Sequence, residues 1–255
     1  MKNFALQLKN LTLKKGQKLI LEGVSCDIPK NQFTAIVGPN GAGKTFLLRS
    51  LAGLEASDKK KQLYINQTDF RQLSEKERAK LLAWNPERIN LPFNYTSSEL
   101  CMMGRFVHHS GNPTADDWTI IEKYFKLLNI NSLMNKPIFQ LSSGEFKKVL
   151  IVRALAAETE CLLLDEPTAN LDISSKKEVF EILKQISKRV TVVAVIHDIA
   201  QAYKNADNII ILNQGRVIDS GPPQNALSPK NMQEVFSAGC EVVILNDGSK
   251  HLVVH

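Results

Sequence analysis

Eight residues, Gly38-Pro39-Asn40-Gly41-Ala42-Gly43-Lys44-Thr45, constrain this chain more than any other stretch. They match G-x-x-x-x-G-K-[ST], a loop that follows a strand and opens a helix. Both flanks fit. Phe33-Thr34-Ala35-Ile36-Val37 reads as a short buried strand, and Phe46-Leu47-Leu48-Arg49-Ser50-Leu51 as the start of a helix. The glycines let the backbone turn tightly and aim N–H groups at phosphate oxygens. The helix N-terminus adds a positive dipole end facing the same anion. In that setting Lys44 reaches the β- and γ-phosphates and Thr45 offers its hydroxyl to Mg²⁺. The bland alternative is a glycine-rich turn with a chance lysine.

A second stretch argues against chance. Cys161-Leu162-Leu163-Leu164-Asp165-Glu166 is an apolar run ending in two carboxylates. Buried parallel strands look like this, and ligand sites in open α/β sheets lie at their carboxyl ends. Asp165 is placed to hold the hydration shell of Mg²⁺. Glu166, one residue on, is placed to orient or deprotonate an attacking water. A third apolar run, Thr191-Val192-Val193-Ala194-Val195-Ile196, ends at His197.

Leu141-Ser142-Ser143-Gly144-Glu145 resembles the L-S-G-G-Q signature of ATP-binding cassette ATPases. The order fits as well: phosphate loop, signature, Asp165-Glu166, then Thr168-Ala169-Asn170-Leu171-Asp172 as a D-loop and His197-Asp198 as the switch histidine. The resemblance covers nearly the whole chain. It implies an α/β fold: a P-loop NTPase (RecA-like) core with an N-terminal antiparallel β region and an inserted helical subdomain. As boundaries it suggests one cassette over 1–255, with the RecA-like lobe at about 1–90 and 158–255 and the helical subdomain at about 91–157. It implies ATP as substrate, with Mg²⁺, and binding residues Gly38, Pro39, Asn40, Gly41, Ala42, Gly43, Lys44 and Thr45. Ser142, Gly144 and Glu145 would cap the γ-phosphate held by a second copy, in a head-to-tail dimer. Glu166, His197 and Lys44 are the implied catalytic groups, and Thr45, Asp165 and Glu87 the implied metal ligands.

The 255 residues suffice for one large α/β domain, and a hydrophobic share of 44% argues against disorder. No apolar run approaches the ~20 residues that span a bilayer. Met1-Lys2-Asn3-Phe4 leads straight into an alternating strand, not a signal peptide. The expected location is the cytoplasmic side of the membrane, as a peripheral subunit. Cys26, Cys101, Cys161 and Cys240 form no C-x-x-C spacing, so they read as reduced thiols. The formal net charge is +6, and its densest run, Lys59-Lys60-Lys61, reads as a solvated turn. No aromatic interleaving supports nucleic-acid stacking, so no nucleic acid is expected as a partner.

Elsewhere, residues 3–33 read as short strands. Ser74-Glu75-Lys76-Glu77 opens a helix to about Trp84. Trp118, Ile121, Phe125 and Leu128 fall at helical spacing, as do Phe146, Val149, Leu150, Val152 and Leu155 in an amphipathic segment from Glu145 to Ala157. Val179, Ile182, Leu183 and Ile186 mark a helix after the D-loop. Asn213-Gln214-Gly215 and Asp247-Gly248 read as hairpin turns.

Ser98-Glu99-Leu100-Cys101-Met102-Met103-Gly104-Arg105 resembles the E-L-x-x-x-G-R pattern of cassettes serving iron-siderophore, haem and cobalamin importers. Gly215 to Pro223 and the residues around Asn231, Val235 and Phe236 look similar to theirs. The resemblance implies an integral-membrane permease as partner, seated near residues 87–105, and indirectly a substrate-binding protein. Glu99 and Arg105 read equally well as coupling residues or as structural charges. The rival functions are a soluble cassette acting on ribosomes or nucleic acid, or a cassette for a different cargo. Three positions depart from the pattern. Glu87 stands where glutamine is usual, Lys14-Lys15-Gly16 lacks the adenine-stacking aromatic, and Ser143 replaces a glycine.

Overall fold

The computed structural model describes residues 4–55, 62–109, 111–244 and 250–255; the Lys59-Lys60-Lys61 run and the Asp247-Gly248 turn lie outside them. The chain opens with two 12-residue strands, β1 (Phe4–Lys15) and β2 (Lys18–Pro29), rather than several short ones. Their antiparallel pairing carries register shifts that interrupt the alternation of apolar residues, which is why the sequence suggested breaks. β3 (Phe33–Val37) is buried throughout and leads through the glycine-rich loop into α1 (Lys44–Leu51). β4 (Gln62–Ile65) and β5 (Thr68–Asp69) complete a four-stranded sheet of order β2-β1-β4-β5.

α2 (Glu75–Leu81) stops short of Trp84, because Leu82–Asn85 form β6. A helical stretch follows, with α3 (Ser97–Met102), α4 (Ala115–Leu127) and α5 (Ser143–Ala156). Next come β7 (Cys161–Leu164), α6 (Ile173–Ile186), β8 (Thr191–Val195), α7 (Ile199–Asn205), β9 (Asn208–Asn213) and β10 (Arg216–Gly221). α8 (Pro223–Ala226), α9 (Pro229–Phe236) and the paired strands β11 (Cys240–Ile244) and β12 (Lys250–Val254) end the chain. The β9–β10 turn has positive φ at both Gln214 and Gly215, the geometry that matches strand twist in a two-residue hairpin.

The second sheet has the order β10-β9-β3-β8-β7-β6, parallel except for its antiparallel edge strand β10. Its strands alternate between two cores. Phe33, Ala35, Val37, Leu162 and Leu164 face the helices α4 to α7. Ile36, Cys161, Leu163, Val193 and Val195 face α1 and the four-stranded sheet. Burial on both faces explains why these strands read as continuous apolar runs. Cys26, Cys101 and Cys161 are buried free thiols, and burial pushes all three well above the usual thiol range.

Ile121 and Phe125 of α4 are fully buried, each contributing about 1.5–3 kcal/mol. Trp118, on the same stripe, stays 39% exposed. α5 is not amphipathic: Val149, Leu150, Ile151 and Val152 are all buried, because it runs beneath α3 and α4. α2, α3, α4 and α5 each start with a reciprocal capping box: Ser74 with Glu77, Thr96 with Glu99, Thr114 with Asp117, and Ser142 with Glu145.

Glu99 is thereby a helix-capping group. Arg105 is structural too. Its guanidinium is buried and donates to Asp117 (2.9 Å), Glu158 (3.0 Å) and the Ala156 carbonyl (2.8 Å), tying α4 to the end of α5.

Candidate nucleotide site

Because β3, β7 and β8 run parallel, their carboxyl ends meet at one edge of the sheet. The chain there delivers the loop 38–43, the pair Asp165 and Glu166, and His197 to one place. Gly38 has no room for a side chain, since a Cβ would stand 2.0 Å from the Leu212 carbonyl oxygen. The loop is therefore pressed against β9.

Lys44 is buried, and its ammonium donates to the carbonyls of Gly38 and Pro39, each at 2.9 Å. Among the described residues no carboxylate pairs with it. Burial lowers its pKa, opposed by the fields of Glu166 and Asp165. A buried cation bonded only to neutral carbonyls has capacity left for an anion.

The Thr45 hydroxyl lies 3.1 Å from Asp165 Oδ1, 120 residues further along the chain. Burial raises the Asp165 pKa. The Thr45 hydrogen bond opposes this, and the charges of Glu166 and Glu87 add to it. A divalent cation would relieve such crowding, and a hydroxyl beside a carboxylate is a donor set that Mg²⁺ accepts. Among the described residues no group of three His, Cys, Asp or Glu is gathered to hold a metal. The fit is therefore to a cation completed by phosphate oxygens and water, the usual habit of Mg²⁺.

Glu166 occupies the left-handed region at φ 49°, a strained position for a side-chain-bearing residue. The turn aims its carboxylate at His197 Nε2, which it contacts directly. Sequence reading missed Lys147. Its ammonium donates to the carbonyls of Glu87 and Glu166, each at 3.1 Å, and so joins α5 to both segments. Burial lowers the Lys147 pKa, against the fields of Glu87, Glu166 and Asp165. No motif marks such a residue, because it works through backbone carbonyls.

Glu87 makes no hydrogen bond to Thr45 or Asp165; its carboxylate lies 3.4 Å from Arg88. In the signature, Ser142 is the N-cap and the helix begins at Ser143, so Gly144 sits within the first turn rather than before it. A Cβ on Gly144 would meet Ser175 Oγ at 2.7 Å, so glycine lets α5 approach α6. Glu145 accepts from the Ser142 N–H at 2.7 Å and from Lys136 at 3.2 Å, and the Ser142 bond is the main cause of its lowered pKa. No hydrogen bond or ion pair joins Ser142, Gly144 or Glu145 to residues 38–45 among the described residues.

The family model for ABC transporters matches residues 21–169, from β2 through the phosphate loop, the signature and both carboxylates. The chain belongs to the ABC transporter family. It is 32% identical to the iron(3+)-hydroxamate import ATP-binding protein of Bacillus subtilis (strain 168), over 94% of this chain and 90% of the other. It is 32% identical to the hemin import ATP-binding protein of Rhodococcus jostii (strain RHA1), over 93% of this chain and 82% of the other. Its fold matches that of an inward-facing ABC transporter assigned to the metal-chelate type. The TM-score is 0.86 at 24% identity, covering 99% of this chain and 97% of the other. This ABC subunit is an ATP-hydrolysing enzyme with a P-loop NTPase core, and ATP is the nucleotide its family binds. No helix among the described residues is long and apolar enough to cross a membrane.

Proposed function

We propose that this ABC ATPase powers a membrane permease that imports a metal chelate of the iron-siderophore, haem or cobalamin type. The observation that carries the chemistry is the convergence of Lys44, Thr45, Asp165, Glu166 and His197 at one sheet edge. The cargo reading rests on the names of its relatives, which import iron(3+)-hydroxamate and hemin. The rivals, a cassette acting on ribosomes or nucleic acid and one for another cargo, lack comparable support.

In this reading residues 38–45 hold the triphosphate, Lys44 neutralises its β- and γ-oxygens, and Thr45 and Asp165 hold Mg²⁺. That ion, when bound, offsets charge on the phosphates. Glu166 orients and deprotonates the attacking water, and His197 positions Glu166 and meets the γ-phosphate. The chain forms one cassette of two lobes, a RecA-like lobe at about 1–90 and 158–255 and a helical one at about 91–157. Ser142, Gly144 and Glu145 complete the site of a second copy, so two chains enclose two nucleotides. Glu145 acts there by holding the helix start rather than by touching phosphate. The dimer sits at the cytoplasmic face of the membrane, fed by a substrate-binding protein through the permease. ATP biases the closed dimer over the open one, and the permease reads the difference.

The test is co-purification from detergent-solubilised host membranes using tagged Glu166→Gln protein, which holds the ATP-bound dimer. Recovery of an integral-membrane permease is the expected result. Recovery of ribosomes or nucleic acid without a permease overturns the importer reading.

A further inference from the structure

Thr45 and Asp165, with Glu166 and His197 beyond them, mark one side of the phosphate loop as the end where the terminal phosphate lies. The base of the same nucleotide must then leave on the other side. The residue that follows Thr45 is Phe46, about 100° further round α1 and therefore on a different face of the helix from Thr45. The ring is half-buried against the core beneath the four-stranded sheet.

Its neighbour is Lys15, the last residue of β1, whose ammonium lies 5.8 Å from the ring centroid. That ammonium pairs at 2.7 Å with Glu55, whose side chain is only 2% exposed and also pairs with Arg49 at 2.6 Å, while the Lys15 side chain itself is 51% exposed. Lysine and arginine together hold the Glu55 carboxyl below its usual range against the effect of burial. The stretch Lys14-Lys15-Gly16 has no ring to offer. One aromatic ring and one ion-paired cation thus stand together beside the start of a phosphate-binding helix. A flat, anionic molecule suits that combination: a base stacks on the ring, and the ammonium supplies positive charge beside it.

We propose that Phe46 supplies the base-stacking face of the nucleotide site, with Lys15 as its cationic neighbour. The inference rests on the reading that residues 38–45 hold the triphosphate. A ring stacks on any purine and reads no hydrogen-bonding edge, so ATP and GTP bind with affinities within about threefold of each other.

Calorimetric titration of ATP, GTP and inorganic tripolyphosphate into four proteins tests it: the parent, Phe46→Leu, Phe46→Trp and Lys44→Ala. Phe46→Leu keeps apolar packing and removes the π-face. The expected result is roughly tenfold weaker binding of ATP and GTP by Phe46→Leu, with tripolyphosphate unchanged. Phe46→Trp should bind both nucleotides at least as well as the parent. If Phe46→Leu weakens all three ligands equally, or none, Phe46 is not a stacking residue. Lys44→Ala separates this from the underlying reading. Intact binding of ATP and tripolyphosphate by Lys44→Ala overturns the phosphate loop itself, whatever Phe46 does.

Discussion

Lys147 holds Glu166 by its backbone: the ammonium donates to the Glu166 carbonyl at 3.1 Å and, at the same distance, to the carbonyl of Glu87. One side chain from the helix that starts at the signature therefore fixes two strand-end segments. Lys147→Met should lower ATP turnover by about tenfold to a hundredfold, because small misplacements at a reacting centre are costly. ATP affinity should change little, since Lys147 makes no bond to the loop 38–45. Turnover and equilibrium binding measured together check this; a loss confined to binding would count against it.

Glu166→Gln should cut turnover by about a hundredfold to ten-thousandfold while ATP binding survives, as removal of a general base does. His197→Ala should fall in the same range. The double variant should be scarcely worse than either single one, because the two side chains touch and act as a unit. Single-turnover kinetics would report the non-additivity; losses that multiply would mean independent roles.

Asp165 is held above its ordinary pKa chiefly by burial. A raised folded-state pKa in an acid means that the native state binds the proton more tightly than the unfolded chain. Stability from this group is therefore lost as pH rises from the ordinary aspartate range to its folded pKa. Asp165→Asn should thus stabilise the nucleotide-free protein at neutral pH, by about 2–4 °C in Tm if the gain is near 1 kcal/mol. Thermal unfolding of both proteins at neutral pH decides it, and a lower Tm for the variant would refute it.

Asp117 has the opposite sign. Its backbone bond from Thr114, aided by Arg105, lowers its pKa to about 2. That stability is present above the ordinary aspartate pKa and fades as pH falls toward about 2. Asp117→Ala should cost about 3 kcal/mol, since it removes a helix cap and leaves the Arg105 guanidinium short of a partner. Urea unfolding at neutral pH measures the loss, which should shrink on acidification.

Glu87 adds negative charge near Asp165 without bonding to it. Glu87→Gln should therefore make turnover less dependent on Mg²⁺ concentration. An unchanged Mg²⁺ titration would remove Glu87 from the metal's surroundings.

The phosphate loop and the buried strands were legible because each obeys a local rule: a spacing of glycines, or an apolar run of strand length. β1 and β2 were harder, as their bulges shift the alternation within one continuous pair. α2 was read too long because Leu82 to Asn85 join a sheet through β7, a partner 79 residues away that no local pattern reveals. Glu166 was found by its place after an apolar strand, but its left-handed backbone was not. Lys147 and Phe46 escaped because neither belongs to a motif. One acts on carbonyls brought together by folding, and the other matters through a strand end 31 residues upstream.

Among the described residues, four helix starts use the same chemical latch, a carboxylate folded back on its own cap. Glu77, Glu99, Asp117 and Glu145 are all held below their ordinary pKa, mainly by hydrogen bonds from Ser74, Thr96, Thr114 and Ser142. Latches of one chemistry release under one condition. Acid that protonates these carboxylates weakens all four helix starts at once, so α2, α3, α4 and α5 should fray from their N-termini together while their buried faces hold.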